Sequence, residues 1–143
     1  MLHAVIVDFF GVIFNPATGQ PMPGLVEFLQ QLRNQHWPCA IASSSTRHTI
    51  EQFLADHQLV DYFSSIVSLE DVHNAKPDPE CFLLAAEQLQ IMPLQCVVID
   101  DTPASIQAAH QVGFVTFLFT GQFPDVTALD KSASVPEINL PVY

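Results

Sequence analysis

Positive charge is scarce in this chain of 143 residues: four lysines and arginines stand against fifteen aspartates and glutamates, for a net charge of −11. Nucleic-acid backbones and anionic membrane surfaces are bound through clustered Lys and Arg, so the charge balance argues against both partners. The sequence also lacks any apolar run that approaches the ~20 residues of a membrane span. We therefore expect neither nucleic acid nor a membrane as a partner.

Cysteine is also rare, and Cys39, Cys81 and Cys96 show no Cys-x-x-Cys spacing. This pattern predicts buried thiols in a reducing compartment. The first residues show no basic, cleavable leader, which together with the cysteines predicts a cytoplasmic location. Hydrophobic residues are abundant instead, at 49% with eleven Phe, and predict one domain with a sizeable core.

Short apolar runs punctuate the sequence and predict strands. They occupy residues 4–7, 39–42, 65–67, 96–99 and 114–119. Continuous apolar strands are typical of a parallel sheet that is buried on both faces. Apolar residues at helical spacing lie between the runs, and Asp78 and Thr102, each followed by Pro, predict the starts of two helices. The predicted fold class is a three-layer, Rossmann-like α/β domain with a mostly parallel sheet.

The predicted domain spans residues 1–130, with a short helix expected within residues 122–130. Residues 131–143 contain two prolines and predict an extended surface tail. No function is assigned to this tail.

Carboxylates follow two of the apolar runs. Asp8 follows the first run, and Asp100 and Asp101 follow the fourth. The carboxyl ends of parallel strands form the ligand-binding edge of such sheets. Adjacent like charges favour a bound cation, and an oxygen-rich site beside a phosphate suits Mg²⁺. A capped turn at Asp8 and an exposed acidic turn at the aspartate pair would explain the same residues without a metal.

Hydroxyl and ammonium groups lie between these carboxylates in the chain. Ser43 ends the second run and Ser44-Ser45-Thr46 opens a predicted helix, whose free N–H groups suit an anion, although ordinary capping also favours Ser and Thr. Lys76 is one of only four basic residues and could place a fixed positive charge on a phosphoryl group. A solvated loop lysine is the alternative. Taken together, the order of these carboxylate, hydroxyl and ammonium groups along the chain favours a site for a divalent cation beside a phosphoryl group.

These motifs resemble those of the haloacid dehalogenase superfamily. Asp8-Phe9-Phe10-Gly11-Val12 resembles its first motif, Asp-x-Asp-Gly-x, and Ser43 after Ile41-Ala42 resembles its second. Lys76-Pro77-Asp78-Pro79 resembles the third motif, in the form found in phosphoglycolate phosphatase and β-phosphoglucomutase relatives. The segment from Val98 to Ala109, with Asp100-Asp101-Thr102-Pro103 and a later Gly113, resembles the fourth.

The resemblance implies a role for each matched residue. Asp8 would be the nucleophile that forms an aspartyl-phosphate. Ser43, Ser44 and Lys76 would hold the phosphoryl group. Mg²⁺ would be the cofactor, held by Asp8, the backbone carbonyl of Phe10, and Asp100 or Asp101. These roles imply a hydrolase that acts on a phosphorylated small molecule or an exposed phosphate ester.

The sequence departs from the family pattern in two places. The general acid/base two residues after the nucleophile is replaced by Phe10, whose ring cannot transfer a proton, a loss worth ~10²–10⁴ in rate. The intervals from Asp8 to Ser43 and from Ser43 to Lys76 are filled by core elements, which predicts that no cap domain is present. The site should then be open to solvent unless a second copy of the chain covers it.

Three rival interpretations remain open at the level of sequence. Phe10 favours a non-catalytic protein of the same fold that binds Mg²⁺, a phospho-ligand or a partner. The dehalogenase branch also lacks Asp at the Phe10 position, but it draws on cap residues. A signalling receiver domain has a similar residue set, but its acidic pair comes first in the chain, whereas Asp100-Asp101 comes last here.

Overall fold

The computed structural model describes residues 1–132, in which strands and helices alternate. The strands are β1 (Ala4–Val7), β2 (Cys39–Ala42), β3 (Ser65–Val67), β4 (Cys96–Asp100) and β5 (Val115–Leu118). The helices are α1 (Leu25–Asn34), α2 (Arg47–Asp56), α3 (Glu80–Leu89), α4 (Pro103–Gln111) and α5 (Val126–Ser132). Short 3₁₀ turns occupy Val60–Tyr62, Leu69–Asp71 and Pro93–Gln95.

The five strands form one sheet in the order β3-β2-β1-β4-β5, and every neighbouring pair is parallel. Each strand lies at one of the apolar runs, because strands covered on both faces need apolar side chains on both. The predicted fold class is confirmed. The chain builds from β1 outward to β3 and then returns to β4, so the order switches direction between β1 and β4. Ligands bind at such switch points in open α/β sheets.

A hydrophobic core lies on each face of the sheet. Along β1, Val5 and Val7 pack into one core with α1, α2 and α5, whereas Ala4 and Ile6 pack into the other with α3 and α4. This alternation follows from the two-residue period of a strand. The three cysteines are buried and unpaired within these cores, as predicted.

The helix boundaries largely follow the predicted signals. The α3 helix begins one residue after Pro79, and Asp78 Oδ1 accepts a hydrogen bond of 2.9 Å from the Glu80 N–H. The α5 helix runs to Ser132, slightly past the predicted domain end at residue 130. The rest of the predicted tail lies outside the described residues.

The described chain consists of core elements only. Through residue 132, the connection from β1 to β2 holds one helix, and so does each of the next two connections. No additional domain is inserted between the strands of residues 1–132. None of the helices of residues 1–132 is long and apolar enough to cross a membrane.

Candidate active site

Strand register brings Asp8 and Asp100 together at the switch point. Val7 pairs with Ile99, and the Asp8 N–H donates to the Ile99 carbonyl over 2.9 Å, so the next residue of each strand lies opposite the other. Both aspartates are buried, Asp100 completely. Two carboxylates therefore sit side by side at the carboxyl edge of the sheet, as their positions in the sequence predict.

Lys76 bridges these two carboxylates from the loop before α3. Its Nζ lies 2.8 Å from Asp8 Oδ1 and 2.8 Å from Asp100 Oδ2, and its side chain is only 11% exposed. The Phe82 ring lies beneath the ammonium, with its centroid 5.1 Å from Nζ. Lys76 is therefore a fixed positive charge within the site, and the solvated loop lysine considered above is ruled out.

Burial and charge shape the electrostatics of this triad. Burial raises the pKa of Asp8 from 3.8 to about 7; Lys76 opposes this rise, and Asp100 adds to it. Burial alone would lower the pKa of Lys76, but the charges of Asp8 and Asp100 outweigh it, so the pKa lies above its ordinary value. Lys76 thus stays protonated at neutral pH, while Asp8 needs further positive charge to be fully ionised.

Asp100 and Asp101 differ in their availability to a metal ion. Asp100 uses both oxygens, because Oδ1 accepts from the Thr102 N–H at 2.9 Å and Oδ2 accepts from Lys76. Asp101 is exposed, and its carboxylate accepts no hydrogen bond within residues 1–132. One ligand atom each from Asp8, Asp100 and Asp101 can be chosen so that the three lie within 4.8 Å of one another. Three carboxylates, of which Asp101 has neither oxygen hydrogen-bonded among the described residues, offer the hard oxygen donors that fit Mg²⁺.

Gly11 makes room for the Asp101 carboxylate. A Cβ at Gly11 would collide with Asp101 Oδ2, and the residue has a φ of +90°, which favours Gly. The neighbouring Phe10 carbonyl accepts no backbone hydrogen bond in the described part of the chain. It is therefore available for the metal-ligand role that the resemblance implies.

Ser43 lies at the end of β2 on the same edge. It is 2% exposed, and its Oγ accepts from the Ser45 N–H at 2.9 Å, which leaves its hydroxyl proton free to donate. The α2 helix begins only at Arg47, with Thr46 as its N-cap. Ser43 and Ser44 therefore belong to the loop before the helix, and the helix N-terminus starts later than the sequence suggests.

A cavity of about 450 Å³ opens over these groups. Its lining contains Asp8, Phe10, Ser43, Ser44, Ser45, Lys76, Pro77, Asp101, Thr102, Ala104 and Ser105. All the predicted site residues except Asp100 line it, and Asp100 is buried behind Lys76. Ser45, Thr102 and Ser105 were not predicted as site residues from the sequence. The sequence did offer one signal for them, because they lie close in the chain to Ser43 or to the aspartate pair.

Comparison with known protein families identifies the family of this chain. A sequence profile of the haloacid dehalogenase-like hydrolases matches residues 6–119, which is most of the chain. The chain therefore belongs to the haloacid dehalogenase-like hydrolases.

Curated relatives include sugar-phosphate enzymes. The β-phosphoglucomutase of Bacillus subtilis (strain 168) is 35% identical over 113 residues, which cover 79% of this chain and 49% of the relative. The fructose-1-phosphate phosphatase of Escherichia coli (strain K12) is 35% identical over 94 residues, covering 66% and 49%. The chain thus spans about half the length of these relatives.

Solved structures share the fold. The β-phosphoglucomutase of Clostridium difficile superimposes with a TM-score of 0.81 at 15% identity, covering 94% of this chain and 98% of that one. A putative β-phosphoglucomutase from Thermotoga maritima gives a TM-score of 0.75 at 21% identity, covering 94% and 93%. At these identities the likeness establishes the architecture.

Proposed function

We propose that this chain is a Mg²⁺-dependent phosphohydrolase that acts on phosphorylated small molecules through an aspartyl-phosphate on Asp8. The contact of Lys76 with Asp8 and Asp100, 2.8 Å in each case, carries this proposal, because it places a buried cation beside a buried nucleophile. The phosphatase among the relatives supports the same reaction class. The free, buried cysteines support the expected cytoplasmic location.

The reaction follows from the positions of these groups. Asp8 Oδ1 is held by Lys76 and by the Phe9 N–H, and Oδ2 accepts no hydrogen bond from the described residues. Oδ2 is therefore free to attack phosphorus, after which the ester P–O bond breaks and its electron pair leaves with the alcohol oxygen. Water then attacks the aspartyl-phosphate and releases orthophosphate and Asp8. Ser43 and Lys76 would hold the phosphoryl oxygens throughout.

A metal ion fits beside these residues. Asp8, Asp101 and the Phe10 carbonyl would hold Mg²⁺. Asp100, whose oxygens accept from Lys76 and the Thr102 N–H, would be an alternative ligand. Such a cation would offset the charge of the phosphoryl oxygens and keep Asp8 ionised. This explains how a chain with so few basic residues could bind a phosphate ester.

The test is a screen of phosphate esters with and without Mg²⁺. We expect phosphate release that needs Mg²⁺ and falls at least ~10³-fold in Asp8→Asn, because the nucleophile is lost. Asp61→Asn, an exposed aspartate outside the cavity, is the matched control and should keep full activity. Hydrolysis that survives in Asp8→Asn, or that ignores Mg²⁺, would refute the proposal.

A non-catalytic binding protein is the second candidate, and Phe10 is the observation that favours it. Phe10→Asp separates the two, because it restores a carboxylate where the family carries its acid/base. Since Phe10 is 55% exposed, the new carboxylate would reach solvent without a large burial cost. For a phosphatase we expect faster turnover of alkyl phosphates, by up to ~10²–10⁴-fold.

Good leaving groups such as p-nitrophenol should gain less in this variant, because they need little protonation. A melting curve and a Mg²⁺ titration serve as controls for folding and metal binding. If Phe10→Asp is folded and binds Mg²⁺ but hydrolyses no ester, the non-catalytic interpretation becomes the better one.

A further inference from the structure

An aromatic ring forms part of the cavity wall at the position where the family usually has an acid. Phe10 is 55% exposed, in contrast to its neighbour Phe9, which is 2% exposed. Phe10 lines the same cavity as Ser43 and Lys76. A large apolar surface is thus offered to whatever group is attached to a phosphate held by these residues.

Other aromatic side chains pack against the Phe10 ring and hold it in place. It stacks on Phe14 with centroids 5.5 Å apart and an interplanar angle of 30°. Phe14 in turn stacks on Phe9 at 5.9 Å and meets Phe53 edge-on at 5.4 Å. The Gly11 N–H donates to the Phe14 carbonyl over 2.8 Å, which ties the two ends of the loop together. Phe10 is therefore held in place by its aromatic neighbours, and much of its own side chain stays exposed where it lines the cavity.

The cavity offers a leaving group little help with protonation. The titratable side chains in its lining are Asp8, Lys76 and Asp101. Asp8 is the proposed nucleophile, Lys76 is held by two carboxylates, and Asp101 is the free metal ligand. A departing oxygen must then leave largely as the anion. Phenols, with pKa values near ~10, leave far more readily than alcohols, whose pKa values lie near the ~15.7 of water.

These two observations converge on one substrate class. We infer that the site takes aryl phosphates, with the phosphate on Ser43 and Lys76 and the aromatic ring stacked on Phe10. The inference rests on the proposed phosphohydrolase function and names its substrate class. As Asp8 forms its bond to phosphorus, the P–O bond to the ring breaks. The electron pair departs with the phenolate, which takes a proton from solvent.

The first test measures binding without turnover. In the Asp8→Asn protein with Mg²⁺, calorimetry compares phenyl phosphate, cyclohexyl phosphate, methyl phosphate and inorganic phosphate. We expect phenyl phosphate to bind about three- to tenfold more tightly than methyl phosphate, which is the range of one aromatic contact. The advantage should vanish when Phe10→Ala is added and persist when Leu94→Ala, an exposed apolar control, is added instead.

The second test measures turnover by the otherwise unaltered protein. Phe10→Ala should raise KM for phenyl phosphate relative to KM for methyl phosphate by a similar factor. A phosphotyrosine peptide and free phenyl phosphate form separate arms, because a protein side chain and a small molecule are the two sources of an aryl phosphate. A preference for either arm over the alkyl esters supports the inference.

The failures can be told apart. If inorganic phosphate and all the esters fail to bind and none is hydrolysed, the proposed function fails and this inference with it. If the esters bind and react, but phenyl and methyl phosphate bind equally or Phe10→Ala affects both alike, the aryl preference alone is overturned. Tighter binding of cyclohexyl than of phenyl phosphate would likewise overturn the stacking argument.

Discussion

Single residues decide the chemistry of this site. Lys76 shows why the sequence predicts the role of such a residue but not its contacts. Its scarcity and its motif predict a phosphate-binding role. Its two ion pairs join residues that are 68 and 24 positions apart in the chain. Such contacts depend on how the strands and the α3 loop pack, so no local pattern encodes them. From the sequence alone, truncation of a loop lysine would be expected to cost little stability.

Lys76→Met should instead be strongly destabilising in the metal-free protein. The substitution leaves Asp8 and Asp100 buried without their counter-charge, and breaking such a pair costs about 3–5 kcal/mol. The pKa of Asp8 should rise further, because Lys76 holds it down. The destabilisation should therefore be greatest at alkaline pH and shrink as acid protonates the carboxyls. Urea unfolding at several pH values measures it.

Arg33→Met is the control for this prediction, because it also removes one cation. Arg33 lies over the Tyr62 ring, 4.1 Å from its centroid, and its Nη2 donates to the Asp61 carbonyl; it does not line the active-site cavity. Its loss should cost no more than about 1 kcal/mol and show no comparable pH dependence. Equal effects of the two variants would mean that Lys76 does not hold a buried charge cluster.

At the scale of elements, the sequence predicts the architecture well because burial on both faces leaves a clear apolar signal. Each apolar run became a strand, with ends shifted by one residue at β4 and β5. Polar loops carry weaker signals. The start of α2 at Arg47 depends on Thr46, which accepts from the Thr49 N–H, and runs of Ser and Thr offer several equivalent caps. The 3₁₀ turns were not predicted, because single turns lack periodicity.

The loop after β1 gives a prediction at this scale. Gly11→Ala and Gly19→Ala both place a Cβ on left-handed backbone, with φ values of +90° and +73°. Only the Gly11 Cβ would collide with the Asp101 carboxylate, since nothing lies within 4 Å at Gly19. Gly11→Ala should therefore displace Asp101 and weaken Mg²⁺ binding about 10–100-fold. Calorimetric titration with Mg²⁺ measures this.

Gly19→Ala isolates the backbone cost shared by both variants. It should lower stability by about 1–2 kcal/mol and leave the affinity for Mg²⁺ at the wild-type value. An unchanged affinity in Gly11→Ala would show that the space beside Asp101 does not serve a metal site.

At the scale of the whole molecule, charge is the dominant feature. The chain carries a net charge of −11, and its buried site holds two carboxylates for one lysine. A divalent cation bound at this edge would relieve repulsion within the site and add to the stability of the entire domain, because unfolding disperses its ligands. The stability of the fold and the occupancy of the site should therefore be linked.

This linkage predicts how pH and Mg²⁺ act together. The folded pKa of Asp8, about 7, lies above its ordinary value of 3.8, so the folded state binds the extra proton between these pH values. Stability of the metal-free protein should then fall as pH rises from ~4 to ~7 and level off above. Mg²⁺ needs the ionised carboxylate, so its stabilising effect should be small at pH 5 and larger at pH 8.

Thermal melts at both pH values, with and without Mg²⁺, test this linkage. At pH 8 a tenfold excess over the dissociation constant adds about 1.4 kcal/mol, or roughly 3–6 °C in melting temperature. Asp101→Asn should abolish the Mg²⁺ shift at both pH values, because it removes the free ligand, whereas Asp61→Asn should retain it. A shift that is equal at pH 5 and pH 8 would contradict the role of Asp8. A shift that survives in Asp101→Asn would mean that the cation binds away from the carboxyl edge of β1 and β4.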